Sequence, residues 1–357
     1  MHALDVLRRL VELESPTREE ELVDRAARVV AAELSAAGAA AEMHGRHVVA
    51  HAPGEDSELS PLLLLAHVDT VWPVGTLAAM PFSVRDGYAH GPGVLDMKAG
   101  IVTILSALHS CGRPRRPVTV LVTADEEIGS PTGRLLVEEH ARGAAAALVL
   151  EPPVRDDTIT TARSGLARYQ LHVTGRAAHA GGGHTAGVSA VGELAHQTLV
   201  LHSLEDVERG VRVNVGQIGG GTGDNVVAAE AWARIDARAW TGADQRRLEH
   251  EIRGLQPHLE GATLTVTGAV TRPPMIRDER AAALAGQVLE IASEIGIPLA
   301  EHRSGGGSDG NFAAAAGAPV VDGLGPNGVG AHAVDERVSL RSLEQRAQLL
   351  SSLLMRL

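Results

Sequence analysis

The sequence predicts an α/β protein: a layered α/β domain built from two chain segments, with a smaller ferredoxin-like α+β domain inserted between them. Three observations carry this expectation. Strand-like and helix-like segments alternate from the N-terminus to about Glu151, and the same style returns near the C-terminus. Three short apolar runs with the character of buried strands each lead into a residue that can bind metal. Between Gly165 and Arg272 the texture changes to alternating strands in the order β-α-β-β-α-β. The expected boundaries are 1–164 and 273–357 for the layered domain and 165–272 for the insert, since 357 residues exceed what one compact core usually serves.

In order along the chain, an amphipathic pattern starts at the N-terminus, without a basic and then apolar leader. Thr17 and Glu20 form a capping-box pattern ahead of Leu22, Val23, Ala26, Val29, Val30 and Leu34 at helical spacing, with Gly38 near the end. The runs 62–65, 118–122 and 148–150 read as buried strands. In the insert, 166–173 alternates as a half-buried strand does. A helix near 188–201 follows, then strands near 211–218 and 226–237, a helix near 243–255 and a strand at 264–270. Residues 319–321 read as a strand, and 342–357 as a closing helix with Ser342 and Gln345 as its capping pair.

Composition excludes several classes of function. A formal charge of −12 and the lack of a basic stretch argue against a nucleic-acid partner. No apolar stretch approaches the ~20 residues needed to span a bilayer, so a cytoplasmic protein without a membrane partner is expected. Cys111 is the single cysteine, which rules out an internal disulfide. With aromatics at 2%, the core must come from Leu, Val, Ile and Ala. Lys98 is the only lysine in a chain rich in arginine, which hints that its position resists exchange.

The chemistry lies where the apolar runs end. His67 and Asp69 follow the first run, Glu126 and Glu127 the second, and Glu151 closes the third. In open α/β sheets, functional residues gather beyond the carboxyl ends of strands. With Asp96 and His332 added, the set reads as the shell of a two-metal hydrolase. His67 and Asp69 share one face of an extended chain, so Asp69 can orient the imidazole by accepting a hydrogen bond. One member of the Glu126–Glu127 pair can bind metal while its neighbour serves as general base. Asp96 can bridge two ions through its two oxygens, which leaves one histidine and one carboxylate for each. Imidazole and carboxylate donors without thiolates fit two Zn2+ ions per chain, with Co2+ or Mn2+ as substitutes.

Several stretches resemble the M20 family of metallopeptidases, especially its glutamate carboxypeptidase and acetylornithine deacetylase branches. They are Ala66-His67-Val68-Asp69-Thr70, the stretch 91–100 around Asp96, the stretch 123–130 around Glu126 and Glu127, and Leu150-Glu151-Pro152. The stretches 175–181 and 304–309 match as well, as does His332 in Gly330-Ala331-His332-Ala333. The resemblance implies His67, Asp96 and Glu151 around one ion, and Asp96, Glu127 and His332 around the other. It implies Glu126 as general base, Asp69 as orienting carboxylate and a cis peptide after Asp96. The insert would be a lid and dimerisation domain in a homodimer, with His179 donated to the neighbouring subunit's site as an oxyanion donor. Asn225, Arg238 and Arg272 match substrate-contacting positions, where arginine can clamp a carboxylate. The run Gly305-Gly306-Gly307 would let backbone N–H groups approach a substrate carboxylate.

A carboxylate at 151 separates this chain from branches resembling allantoate amidohydrolases, which place histidine there. One departure concerns the lysine that binds a glutamate side chain in the glutamate carboxypeptidase branch. Arg155 is the nearest basic residue here, followed by Asp156 and Asp157, with Ile159 near the expected place. The expectation is a di-zinc hydrolase acting on a peptide or N-acyl bond beside an amino acid with a free α-carboxylate. The alternatives are an N-acyl-amino-acid deacylase of the acetylornithine deacetylase type and, from another class, a non-catalytic metal- or amino-acid-binding protein.

Overall fold

The structure is a computed structural model that describes residues 3–357. It forms two compact units: Met1–Arg163, Met275–Ser304 and Ser308–Leu357 make the first, and Ser164–Pro274 with Gly305–Gly307 the second.

The first unit is built on a six-stranded sheet in the order Ala40–His44, His47–Ala52, Val118–Thr123, Leu62–His67, Ala146–Val149, Val320–Val321. The first two strands form an antiparallel hairpin, and His47–Ala52 runs antiparallel to Val118–Thr123. The remaining pairs are parallel. Every residue of Leu62–His67 and of Val118–Thr123 is buried, which is why these strands read as continuous apolar runs. The pleat sends their side chains to two cores. Leu62, Leu64, Val118, Val120 and Leu148 pack with Leu7, Val30, Ile104 and Leu353 from the helices Ala3–Glu12, Glu20–Ala36, Ala99–Ser110 and Leu340–Arg356. Leu63, Leu65, Leu121 and Val149 pack with Val137 and Phe312 from Gly133–Ala141 and Gly310–Ala315. The result is the layered α/β arrangement that the sequence predicts.

Two smaller sheets complete this unit. Thr158–Arg163 pairs in parallel with Ala300–Ser304. Four short strands, in the order Gly328–Val329, Arg337–Ser339, Tyr88–His90, Ser83–Arg85, tie the segment ahead of Asp96 to the two segments that flank His332. Strands of two or three residues are too short to show a period, so the sequence carried no sign of them.

The second unit has an antiparallel sheet in the order Arg212–Gly220, Glu230–Ala239, Gly165–Thr174, Thr263–Arg272. Leu171, Val173 and Ile235 on one face pack against Leu194, Leu201, Leu248 and Ile252 from the helices Ala190–Ser203 and Gly242–Arg253. The chain order is the ferredoxin-like β-α-β-β-α-β.

Two helix starts differ from expectation. The helix Glu20–Ala36 has Glu19 at its N-cap, with no side-chain cap among the described residues. Thr17 instead donates its hydroxyl to Asp69 Oδ2 at 2.8 Å. The closing helix begins at Leu340 and is capped by Ser339, whose hydroxyl accepts the Ser342 N–H at 3.2 Å. Ser342 Oγ accepts from the Asn327 N–H at 2.8 Å. In both places a long-range partner takes the side chain that local spacing assigned to a cap. Among the described residues, no helix is long and apolar enough to cross a membrane.

Candidate metal centre and active site

The central strands deliver their last residues to one edge of the first unit. His67 ends its strand and is buried, with Nδ1 3.0 Å from the Asp69 carbonyl oxygen and 3.5 Å from Asp69 Oδ1. Orientation of the ring therefore comes first from the backbone of Asp69, with the carboxylate farther away. Nε2 points the other way, 3.2 Å from Asp96 Oδ1 and 3.6 Å from Glu151 Oε1. His332, held at φ 62°, places Nε2 3.1 Å from Asp96 Oδ2 and 3.2 Å from Glu127 Oε1. Two groups result, His67–Asp96–Glu151 and Asp96–Glu127–His332, each with ligand atoms within 4.8 Å of one another. Asp96 belongs to both, one oxygen to each histidine. The Asp96–Met97 peptide is cis.

The fully buried Asp69 carboxylate accepts the N–H of Glu126 on Oδ1 and of Glu127 on Oδ2, both at 3.2 Å. One side chain thus sets the backbone of both glutamates. The rest of their loop is pinned as well. His47 Nδ1 accepts the Ala124 N–H at 3.1 Å, and Asp125 Oδ2 accepts from the N–H and hydroxyl of Thr132 at 2.7 and 2.6 Å. Asp309 accepts the hydroxyls of Thr123 and Ser130. Glu126 belongs to neither ligand group but lies close enough to raise the pKa of Glu151.

The electrostatics are those of crowded acids in a dry place. Burial, then the charges of Asp96 and Glu126, push Glu151 well above the usual carboxylate range. Burial and Asp96 likewise raise Glu127. Burial alone would raise Asp96, but hydrogen bonds from His332 and His67 outweigh it and hold its pKa low. For His67, burial opposes the proton, yet the bonds to Asp69 and Asp96 outweigh it and raise the pKa well above 6.5. Asp96 and Glu127 lift His332 to about 10.

The donor set fits divalent cations. Oε1 of Glu127 is buried and makes no hydrogen bond among the described residues, although His332 Nε2 lies 3.2 Å away. Oxygens of Asp96 and Glu127 gathered around the His332 ring nitrogen suit a shared cation once that nitrogen gives up its proton. Metal charge would also offset the crowding that pushes Glu127 and Glu151 up.

Sequence reasoning missed Glu336. This carboxylate is 1% exposed, follows His332 by four residues, and accepts from three backbone N–H groups and an indole. Its only signal was the spacing His-x-x-x-Glu, which means nothing until the loop is folded. The lone lysine, Lys98, is buried and donates to the Leu13 carbonyl at 2.9 Å. Burial lowers its pKa to about 8, against the pull of Glu336 and Glu14.

The residues expected on the substrate side lie in the second unit. His179 is exposed, and its Nδ1 accepts the N–H groups of Gly181 and Gly182 at 3.0 and 3.1 Å. That leaves Nε2 as the protonated, donating nitrogen of the neutral ring. The segments of His179 and Asn225 are joined by the bond from Ala180 N–H to the Asn225 carbonyl at 2.9 Å. Arg238 donates from Nε and Nη2 to Asp236, at 2.6 and 3.3 Å, and from Nη1 to the Gly305 carbonyl at 2.8 Å. These contacts fix the plane of the guanidinium and leave one N–H on each of Nη1 and Nη2 beyond those they use. Arg272 is 4% exposed and lies against Gly307, where a Cβ would come within 2.6 Å of its Cδ and 2.4 Å of Leu166 Cδ1. The steric demand for glycine thus falls on Gly307, whereas a Cβ at Gly305 would meet open space. Gly306 stands between them. In the first unit, Arg155 is exposed and Ile159 is buried in the core.

Histidine–carboxylate groups sharing one aspartate, set at the carboxyl ends of strands in an α/β sheet, define a metal-dependent hydrolase. Residues 63–356 match peptidase family M20/M25/M40, and the chain belongs to that family. It is 32% identical over 370 residues to carboxypeptidase G2 of Pseudomonas sp. (strain RS-16), covering 99% of this chain and 88% of the relative. It is 28% identical over 329 residues to succinyl-diaminopimelate desuccinylase of Thioalkalivibrio sulfidiphilus (strain HL-EbGR7), covering 84% and 85% of the two chains. The Bacillus subtilis YXEP protein, a dinuclear metal binding peptidase from the M20 family, superimposes with a TM-score of 0.74. That alignment covers 99% of this chain and 96% of the other at 16% identity, a likeness of fold.

Proposed function

We propose that this metallohydrolase is a di-zinc enzyme cleaving a peptide or N-acyl bond beside an amino acid with a free α-carboxylate. The observation that carries the reading is the pair of ligand groups sharing Asp96, with Glu126 next to them and outside both. His67, Asp96 and Glu151 would hold one ion, and Asp96, Glu127 and His332 the other. Oxygen and imidazole donors suit Zn2+, with Co2+ or Mn2+ as substitutes. When bound, the cations supply Lewis acidity, easing ionisation of water and stabilising negative charge on a carbonyl oxygen.

This chain's own residues do the rest. Glu126 takes the proton from the attacking water and returns it to the leaving amine. Asp69 keeps Glu126 and Glu127 in register through their N–H groups. His179, with hydrogen on Nε2, is suited to donate to the oxyanion, and in a homodimer joined through the second unit it would serve the other copy. Arg272, Asn225, Arg238 and the backbone of Gly305 and Gly306 would receive the α-carboxylate of the peptide or N-acyl amino acid.

Similarity to a succinyl-diaminopimelate desuccinylase favours N-acyl-amino-acid deacylation as the second reading, because both reactions present the same atoms to the site. The test is amino-acid release from a panel of dipeptides and N-acyl amino acids by zinc-loaded protein. Either release supports the hydrolase; release from dipeptides marks it as carboxypeptidase-like, and release from N-acyl amino acids alone marks it as a deacylase. Glu126→Gln should lose about 10²–10⁴-fold in kcat while still binding two metals. Silence across the panel with two metals per chain would mean a specialised substrate outside the panel or a binding protein.

A further inference from the structure

Glu336 gathers four donors onto one buried carboxylate. Oε1 accepts the N–H of Leu95 at 2.9 Å and of Asp96 at 3.1 Å. Oε2 accepts the N–H of Gly93 at 2.9 Å and the indole N–H of Trp72 at 2.7 Å. Trp72 lies three residues beyond Asp69, on the loop that leaves the His67 strand. Glu336 itself closes the turn that carries His332, with its N–H donating to the Ala333 carbonyl at 3.0 Å. One side chain therefore joins the loops of His67, Asp96 and His332, and its most direct hold is on the backbone of the residue common to both ligand groups.

We propose that Glu336 is a positioning residue that sets Asp96 between the two metal groups, so that both metal affinities depend on it together. The inference rests on the two-metal reading above. It differs from what the ligands themselves predict: His67 belongs to one group and His332 to the other, whereas Glu336 belongs to neither and acts on both through Asp96. A glutamine cannot replace it, because both carboxylate oxygens face N–H donors and an amide turns one lobe into a donor.

The experiment is Zn2+ titration of metal-free protein against a chromophoric chelator, with far-UV circular dichroism and gel filtration of the same samples. Wild type should take up two equivalents, and if it takes up none the two-metal reading itself fails. Folded Glu336→Gln should bind both equivalents about 10–100-fold more weakly, by similar factors, as expected when a residue supporting metal ligands is lost. Wild-type affinity for both equivalents, or weakening of one alone, overturns the proposal. Should Glu336→Gln fail to fold, Trp72→Phe replaces it, since it removes one donor and leaves the carboxylate. A few-fold weakening shared by both equivalents then supports the proposal, and no change or a change in one overturns it.

Discussion

Replacing Asp69 with asparagine tests whether the two glutamates work only when their backbone is held in register. Asp69 is fully buried and offers one oxygen to the Glu126 N–H and the other to the Glu127 N–H, each at 3.2 Å, while Thr17 donates to Oδ2 at 2.8 Å. An asparagine of the same shape keeps one acceptor and turns its amide nitrogen toward the other N–H. At least one hydrogen bond to a charged acceptor is lost, worth about 1.5–3 kcal/mol. If that loss appears as misplacement of the base, the rate falls roughly 10- to 150-fold, at 1.36 kcal/mol per decade. The assay is kcat on the best substrate of the panel at saturating Zn2+, with metal content and circular dichroism measured on the same preparation. A folded, metal-loaded variant within about two-fold of wild type would refute the positioning argument, because the Asp69 carboxylate is what both N–H groups donate to. A loss as large as that of Glu126→Gln would refute it differently, by showing that Asp69 takes part in the proton transfer itself.

Two further predictions concern charge. In chelator, His332 keeps its proton up to about 10, against 6.5 when unperturbed, because Asp96 and Glu127 hold it. A raised folded-state pKa contributes stability that is complete below 6.5 and is lost as pH rises through about 10. The thermal midpoint of metal-free protein should therefore fall across that window, and His332→Ala should lack that part of the fall; an identical fall in the variant would contradict the assignment. Asp322 is fully buried and accepts from Arg163 Nε at 2.6 Å, with Arg163 itself 5% exposed. Asp322→Ala removes the carboxylate to which this buried guanidinium donates and should cost about 3–5 kcal/mol in urea unfolding, whereas a loss under about 1 kcal/mol would mean that the pair behaves like an exposed one.

The parts of the fold that were legible in the sequence are those in which one period persists over several residues. The runs 62–65 and 118–122 read as buried strands because each is short and almost wholly apolar, and the alternation at 166–173 read as a strand with one face covered. Capping was less legible. Thr17 and Ser342 have the right spacing for caps, yet their hydroxyls bond to Asp69 and Asn327, which are distant in sequence. A local pattern cannot register a partner that only folding supplies.

The site divides in the same way. Residue type and place in the chain determined the chemistry on offer: His67, Asp96, Glu126, Glu127, Glu151 and His332 are oxygen and imidazole donors, most of them where apolar runs end. The family resemblance already implied the two groups that share Asp96; only the tertiary structure decided how they are held. Asp96 faces both histidines, Asp69 acts through the N–H groups of Glu126 and Glu127, and Glu336 clamps the Asp96 loop from a residue 240 positions away. Arg238 is committed to Asp236 and Gly305, which its residue type alone could not disclose. The physical reason is that ligand chemistry belongs to a side chain, whereas hydrogen-bond partners and shared charge belong to the distances that folding creates.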